Sequence, residues 1–273
     1  MSLFCCPICH RPLVRGERTY LCPKGHSFDR AREGYVHLLP ANRKHARDPG
    51  DDKSMAAARH RFLSGGWYAP LREALCSLAL KYTGETAAVL DAGCGEGWYT
   101  AGIYQALTEA GRRPYLAGVD MSKHSLRWAA RAVPEGEFAV ASVYHLPLGD
   151  GSCGLLLDCF SPLALEEFRR VLKPGGVFLY VVPAARHLWE LKKVLYDRPY
   201  PNPEENIAYE GFAYLEVAQA GETLHLERQE DLLDLFQMTP YCWKTPKAGI
   251  ERLRALERLD VTADFRIHVF RRV

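Results

Sequence analysis

The stretch Val89-Leu90-Asp91-Ala92-Gly93-Cys94-Gly95-Glu96-Gly97, running into Trp98-Tyr99-Thr100, decides how this chain is read. Ala87 to Leu90 is a short apolar run of the kind that forms a buried parallel strand. It ends on an acid and breaks into glycines at alternate positions, and helix-compatible residues follow over 98–110. The unit is therefore strand, glycine turn, helix. Glycine there permits positive φ and lets a ligand approach the backbone. A dinucleotide turn would read G-x-G-x-x-G; here the spacing is G-x-G-x-G, and Trp98 stands at the third glycine position. Asp91 within the turn would repel a pyrophosphate but suits a cationic sulfonium that carries a free ammonium group. Asp91, Gly93, Gly95 and Gly97 thus point to S-adenosylmethionine. The competing reading is a tight turn without a ligand.

Leu116-Ala117-Gly118-Val119-Asp120 is a second buried strand ending in an acid. A carboxylate at that place accepts hydrogen bonds from ribose hydroxyls in doubly wound folds. Asp120 could equally cap the helix that starts near Ser122. Further strands are expected near 87–91, 137–141, 153–159 and 176–182, and helices near 122–132, 163–172 and 186–196. Their alternation predicts a parallel sheet covered on both faces. Phe265, Ile267 and Val269 alternate with Arg266 and His268, which predicts a late strand returning to that sheet.

Cys6-Pro7-Ile8-Cys9 and Cys22-Pro23-Lys24-Gly25-His26 are two knuckles, C-x2-C and C-x3-H, with twelve residues between them. Four such ligands close a tetrahedral zinc site with no place left for water, so the metal would be structural. Cys5 and His10 flank the first knuckle as competitors; the expected ligands are Cys6, Cys9, Cys22 and His26. Nine cysteines, four of them within the first 22 residues, form no disulfide framework. With no export signal and no apolar run of membrane-spanning length, the expectation is a reducing cytoplasm and no membrane partner.

The net charge of +2 hides an asymmetry, because residues 1–50 hold nine Lys/Arg against four Asp/Glu. A basic N-terminal module on a mildly acidic body suggests a polyanionic partner. The polar stretch around Pro49-Gly50 reads as a linker, and its cations Arg43, Lys44 and Arg47 are candidate phosphate contacts; a solvated hinge is the alternative. The expected organisation is a zinc-binding module over 1–39, a linker over 40–52 and a methyltransferase domain over 53–273. Lys53 to Lys81 reads as two helices broken at Gly65-Gly66, with Trp67-Tyr68 either covering the cofactor pocket or serving as core.

Together, the knuckles, Gly34-Tyr35-Val36-His37-Leu38-Leu39-Pro40, Arg47-Asp48-Pro49-Gly50-Asp51, the glycine loop and Arg186-His187-Leu188-Trp189-Glu190-Leu191-Lys192 resemble the 23S rRNA (guanine-N1)-methyltransferases of the RlmA type. The likeness spans nearly the whole chain. The glycine loop is shared by very many methyltransferases, whereas the zinc module with its following Gly-Tyr-Val-x-Leu-Leu-Pro is far more diagnostic. The resemblance implies a class I, Rossmann-like methyltransferase sheet and a cofactor site that includes Tyr68, Gly95, Glu96, Asp120 and His187. It also implies a homodimer acting on a hairpin loop of 23S rRNA, gripped with the help of the zinc module. Phe160-Ser161-Pro162 occupies the place where related enzymes hold the target base. Asp158 is the one acid near that place which the sequence offers as a general base, and it equally reads as the cap of a strand end. Two other functions compete: methylation of a small molecule or another nucleic acid, and a non-catalytic zinc-ribbon RNA-binding factor.

Overall fold

The computed structural model describes residues 2–40 and 50–273. The N-terminal module opens with a small antiparallel sheet of β1 (Val14–Arg15), β2 (Thr19–Leu21) and β3 (Ser27–Asp29). Its last strand, β4 (Val36–His37), leaves that sheet and pairs in parallel with the edge of the main one.

After residue 50 come α1 (Lys53–Ser64) and α2 (Ala69–Tyr82), separated by the Gly65-Gly66 break. Asp52 caps α1, its carboxylate accepting from the backbone N–H groups of Ser54 and Met55. The alternating region follows: β5 (Thr86–Ala92), α3 (Trp98–Glu109), β6 (Arg113–Asp120), α4 (Lys123–Ala132), β7 (Glu137–Val140), β8 (Cys153–Cys159), α5 (Leu165–Val171), β9 (Leu172–Pro183) and α6 (Trp189–Leu195). The chain ends with β10 (Phe212–Leu226), α7 (Gln229–Gln237), α8 (Tyr241–Lys244), α9 (Lys247–Arg254) and β11 (Leu259–Arg272).

The main sheet has eight strands in the order β10-β11-β9-β8-β5-β6-β7-β4. The strands expected from the apolar runs are all parallel. The late strand does return to the sheet, but antiparallel against β9, and it carries β10 beside it as a long hairpin partner. The sheet is therefore mixed. Strand order reverses direction at β5, since β6 lies on one side and β8 on the other. Ligands bind outside the carboxyl ends of strands at such a switch point.

Alternation along β8 shows how the strands are sandwiched. Leu155 and Leu157 join one core with Tyr68, Leu71 and Ile103, while Leu156 joins another with Phe168 and Phe178. The N-terminal module shares that second core: Phe4, Cys6, Leu13 and Tyr20 pack with Leu146 and Leu148. Its seam is polar as well as apolar, for the Cys5 N–H donates to Pro147 O at 2.7 Å. Arg15 donates to the carbonyls of Pro134, Glu135 and Gly136. A module too small to bury its own core is thus held by zinc-type ligands on one side and by the sheet edge on the other.

Candidate functional site

Each glycine of the turn after β5 has its own geometric reason. All three adopt positive φ, +85° at Gly93, +53° at Gly95 and +76° at Gly97. A Cβ on Gly97 would lie 2.8 Å from both Cα and Cβ of Ala129, so this glycine sets the approach of α3 to α4. A Cβ on Gly93 would overlap the Ser161 side chain. A Cβ on Gly95 would meet nothing nearer than an Arg59 nitrogen at 4.0 Å. Gly95 therefore leaves open space over the turn, and the other two hold the turn against its neighbours.

That space belongs to a cavity of about 660 Å³ at the carboxyl ends of the strands, within the range for cofactor sites. Tyr68, Asp91, Gly93, Gly95, Glu96, Asp120, Phe160 and His187 all line it. Gly97 and Asp158 do not belong to its wall. Arg43, Lys44 and Arg47 lie outside the described residues.

Two acids of the lining each keep a buried oxygen without a hydrogen-bond partner. Asp91 is buried, and the Thr100 hydroxyl donates to its Oδ2 at 2.5 Å while its Oδ1 has no partner. Burial pushes its carboxyl up to about 7, the Thr100 bond opposing and the nearby Asp120 adding to the shift. Glu96 is buried likewise, with Oε1 at 3.2 Å from His60 Nδ1 and Oε2 unpartnered. Burial raises its pKa also, against the pull of His60 and Arg59. His60 is itself held flat on Trp128, ring centroids 4.5 Å apart.

Asp120 accepts from the Gly95 N–H at 2.9 Å and from the Ser122 N–H at 2.7 Å. The N-cap of α4 is Ser122, whose hydroxyl accepts from the Ser125 N–H, so Asp120 does not cap that helix. Each of its oxygens keeps a second lone pair. Burial raises this carboxyl, and the two backbone bonds oppose the rise.

His187 is buried, and its Nδ1 accepts the Asp264 N–H at 3.2 Å. Burial, reinforced by the charge of Lys192, lowers its pKa to about 3. The ring is neutral at pH 7 and carries its proton on Nε2, which makes it a donor. A general base needs a free lone pair that this tautomer lacks. Tyr68 is buried edge-on to His187 and Phe265, at 6.1 and 4.8 Å between centroids.

Asp158 is fully buried at the end of β8, accepting the Ser161 N–H at 3.0 Å. Burial pushes its carboxyl up to about 8. It is protonated at neutral pH and sits behind the wall, tying down the loop that carries Phe160. Phe160 is 46% exposed and adopts φ +62°, a conformation rare for an aromatic residue. Leu188, beside His187, has φ +54°. Strain in both loops at the cavity rim is the pattern of a built site.

Sequence reasoning missed Arg59, which pairs with Asp51 and donates to Met238 O at 2.8 Å beside the cavity. It also missed Tyr144 and the α7–α8 corner, Met238 to Tyr241, which closes the wall. No motif marks these residues, because their elements reach the cavity only through tertiary packing.

In the N-terminal module the side-chain donor atoms of Cys6, Cys9, Cys22 and His26 all lie within 4.8 Å of one another. Cys9 Sγ is 3.2 Å from Cys22 Sγ, and Cys6 Sγ is 3.3 Å from His26 Nδ1. Cys5 points away, its sulfur 3.8 Å from where a Cβ of Gly149 would stand. Two thiols from one knuckle with a thiol and an imidazole from the other suit a closed structural zinc.

A glycine turn with an open floor, an unpartnered acid at its base and a second acid at the next strand end define a class I S-adenosylmethionine-dependent methyltransferase. A methyltransferase-domain model matches residues 90–180, and a zinc-ribbon model described as RlmA, N-terminal, matches residues 4–47. The chain is 37% identical to a protein assigned as a 23S rRNA (guanine-N1)-methyltransferase in Micromonospora griseorubida, over 97% of this chain and 96% of that one. It is 43% identical to the 23S rRNA (guanine(748)-N1)-methyltransferase of Streptomyces fradiae over 70% of this chain and 66% of the relative. Among solved structures, YcgJ of Bacillus subtilis superposes with a TM-score of 0.50 at 17% identity, over 73% of this chain and 98% of that one, which shows the shared fold. The chain belongs to the 23S rRNA (guanine-N1)-methyltransferase family.

Proposed function

We propose that this chain methylates N1 of a loop guanine in 23S rRNA, with the sites divided as follows. The buried, unpartnered Oδ1 of Asp91, on a residue that lines the cavity with open Gly95, carries the reading. Asp91 takes the ammonium of the cofactor's methionine end, and His187 Nε2–H donates to its carboxylate. Asp120 accepts from the ribose with its remaining lone pairs. Bound S-adenosylmethionine supplies an electrophilic methyl group. Alignment is then the chain's main task, and holding the reactants at attack distance contributes up to about 7–11 kcal/mol.

Guanine N1 is on the Watson–Crick edge, so the base must be unpaired; a loop guanine meets this at little energetic cost. Phe160, half-exposed on a strained backbone at the rim, offers a face for that base. Asp158 fixes the Phe160 loop and takes no proton in this reading, and neutral His187 takes none either. The N1 proton leaves to water at the mouth, beside exposed Tyr144 and Phe160. Cys6, Cys9, Cys22 and His26 hold one zinc. The N-terminal module, residues 1–39, and the cations of the 40–52 linker contribute RNA contacts, and the 53–273 body carries the chemistry. The assembly is a homodimer working in the cytoplasm; no helix among the described residues is long and apolar enough to cross a membrane.

The Asp91 assignment carries a pH signature. Its carboxyl must be ionised to hold an ammonium group, and its pKa without the cofactor is about 7. Cofactor affinity is therefore expected to rise about tenfold per pH unit below 7 and to level off toward about pH 7.5, before the ligand's own α-ammonium titrates near roughly 8. Asp91→Asn should bind weakly with a flat profile, as calorimetry between about pH 5.5 and 7.5 would show. A wild-type profile flat across that window contradicts the assignment.

Primer extension on 23S rRNA treated with the enzyme tests the substrate, because a methyl on N1 blocks pairing and stops the polymerase. A single cofactor-dependent stop in a hairpin loop is expected. Stops within paired stems, or none, would contradict it.

A further inference from the structure

The helix α4 joins the two functional parts of the molecule. Its first residues follow Asp120 and Met121 at the cavity wall, and its N-cap Ser122 donates to Asp51 O at 2.8 Å. Its last turn reaches the N-terminal module, where Arg32 and Glu33 face Ala130, Arg131 and Pro134 across a cleft of about 510 Å³. The helix, Lys-His-Ser-Leu-Arg-Trp-Ala-Ala-Arg-Ala, contains no acid. Leu126, Ala129 and Ala130 are buried against the sheet, and Arg127 and Arg131 are exposed on the opposite side.

Lys123, Arg127 and Arg131 are spaced by four residues, so they lie along one side of the helix about 6 Å apart. Arg32, also exposed, stands at the end of that line on the module's turn. Glu33 lies 3.5 Å from Arg131 and offsets part of the charge there. Arg15 adds a cation at the same end, its guanidinium bound to the carbonyls of residues 134–136. The one aromatic of the helix, Trp128, is stacked on His60, and no large apolar residue of the helix itself is exposed. The helix therefore offers a membrane or an apolar partner nothing to bury. A chain of evenly spaced negative charges matches the stripe.

We propose that Arg127 and Arg131 on the outer face of α4, with Arg32 on the zinc module, form a track for the phosphate backbone of the RNA between the module and the methyl-transfer cavity. The inference rests on the rRNA reading above and adds a path to it. An RNA strand seated on the module passes along α4 and delivers its loop to the cavity mouth at the helix's other end. Gly50 packs on Ser122 at the start of the same helix.

The test uses the full-length, zinc-loaded chain and a fluorescent 23S rRNA hairpin, with Kd measured by anisotropy over a range of KCl. Each lost phosphate contact flattens the log–log salt slope by roughly 0.7–0.9. Arg127→Gln alone should flatten it by about that one step, and Arg32→Gln/Arg127→Gln/Arg131→Gln by roughly two units or more. Zinc content and S-adenosylmethionine affinity should stay at wild-type values, and the single variant keeps the result interpretable if the triple one folds poorly. A wild-type protein that binds the hairpin with a slope unchanged in both variants overturns the track and leaves the rRNA reading standing. A wild-type protein that binds no RNA overturns that reading, and the track with it.

Discussion

Cys22→Ser is expected to lose its zinc stoichiometrically and to melt well below the wild type. The residue is one of four donors held within 4.8 Å of one another, and three are too few to close a structural site. Zinc binding in small modules is worth about 10–16 kcal/mol, nearly all of it folding free energy. Here the loss does not stop at the module. Cys6, Phe4, Leu13 and Tyr20 share a core with Leu146, Leu148 and Phe178, and β4 is the outermost strand of the main sheet. A loss of about 5 kcal/mol in a chain of this size lowers Tm by roughly 10–20 °C. Metal analysis and calorimetry on the same preparation check both effects. Cofactor affinity, measured below the melting range, should change little, because β5, which carries Asp91, is separated from the module's edge strand β4 by β6 and β7. Full zinc retention would reject the ligand set.

Gly93→Ala is expected to reduce kcat/KM at least about a hundredfold. Its φ of +85° strains any side chain, and overpacking costs about 1–3 kcal/mol more. The clash falls on Ser161, between the Phe160 ring and the backbone bond to Asp158. The added methyl therefore disturbs the cofactor turn and the loop offered to the base together, so both the cofactor KM and kcat should suffer. Gly95→Ala has open space above it, so beyond the backbone strain of its φ of +53° its kinetic effect should fall on the cofactor KM. Steady-state kinetics with each substrate varied would separate the two. A Gly93 variant with normal kcat would show that the Phe160 loop takes no part in turnover.

The catalytic half of the fold was legible because its signals are local. Asp91 and Asp120 end buried apolar runs, and the runs are strands at the places expected. The C-terminal hairpin was harder to see. Arg266 and His268 are buried along with their apolar neighbours, since Arg266 bonds Asn206 and His268 packs among Tyr180, Tyr214 and Phe270. The period of two showed that β11 is a strand but not that both its faces are buried, and β10 gave no signal at all. The same limit hid Arg59 and Tyr241, whose places depend on how α1 and α8 pack. Asp158 illustrates the reverse case. Its position in sequence suggested a base, but its environment keeps it protonated and turned to the loop. The zinc module was plain as a metal site, whereas its merger with the sheet edge through β4 depends on pairing 103 residues apart, Val36 with Ala139 and His37 with Val140, which no local pattern records.

The central claim is that this cavity methylates guanine N1 in 23S rRNA. It is tested most directly by incubating unmodified rRNA with the enzyme and isotope-labelled S-adenosylmethionine, then digesting to nucleosides and identifying the labelled product by mass spectrometry. The account predicts label in 1-methylguanosine alone, present with the wild type and lost with Asp91→Asn. Label in a different methylated nucleoside, or none in RNA from a protein that binds the cofactor, would contradict it.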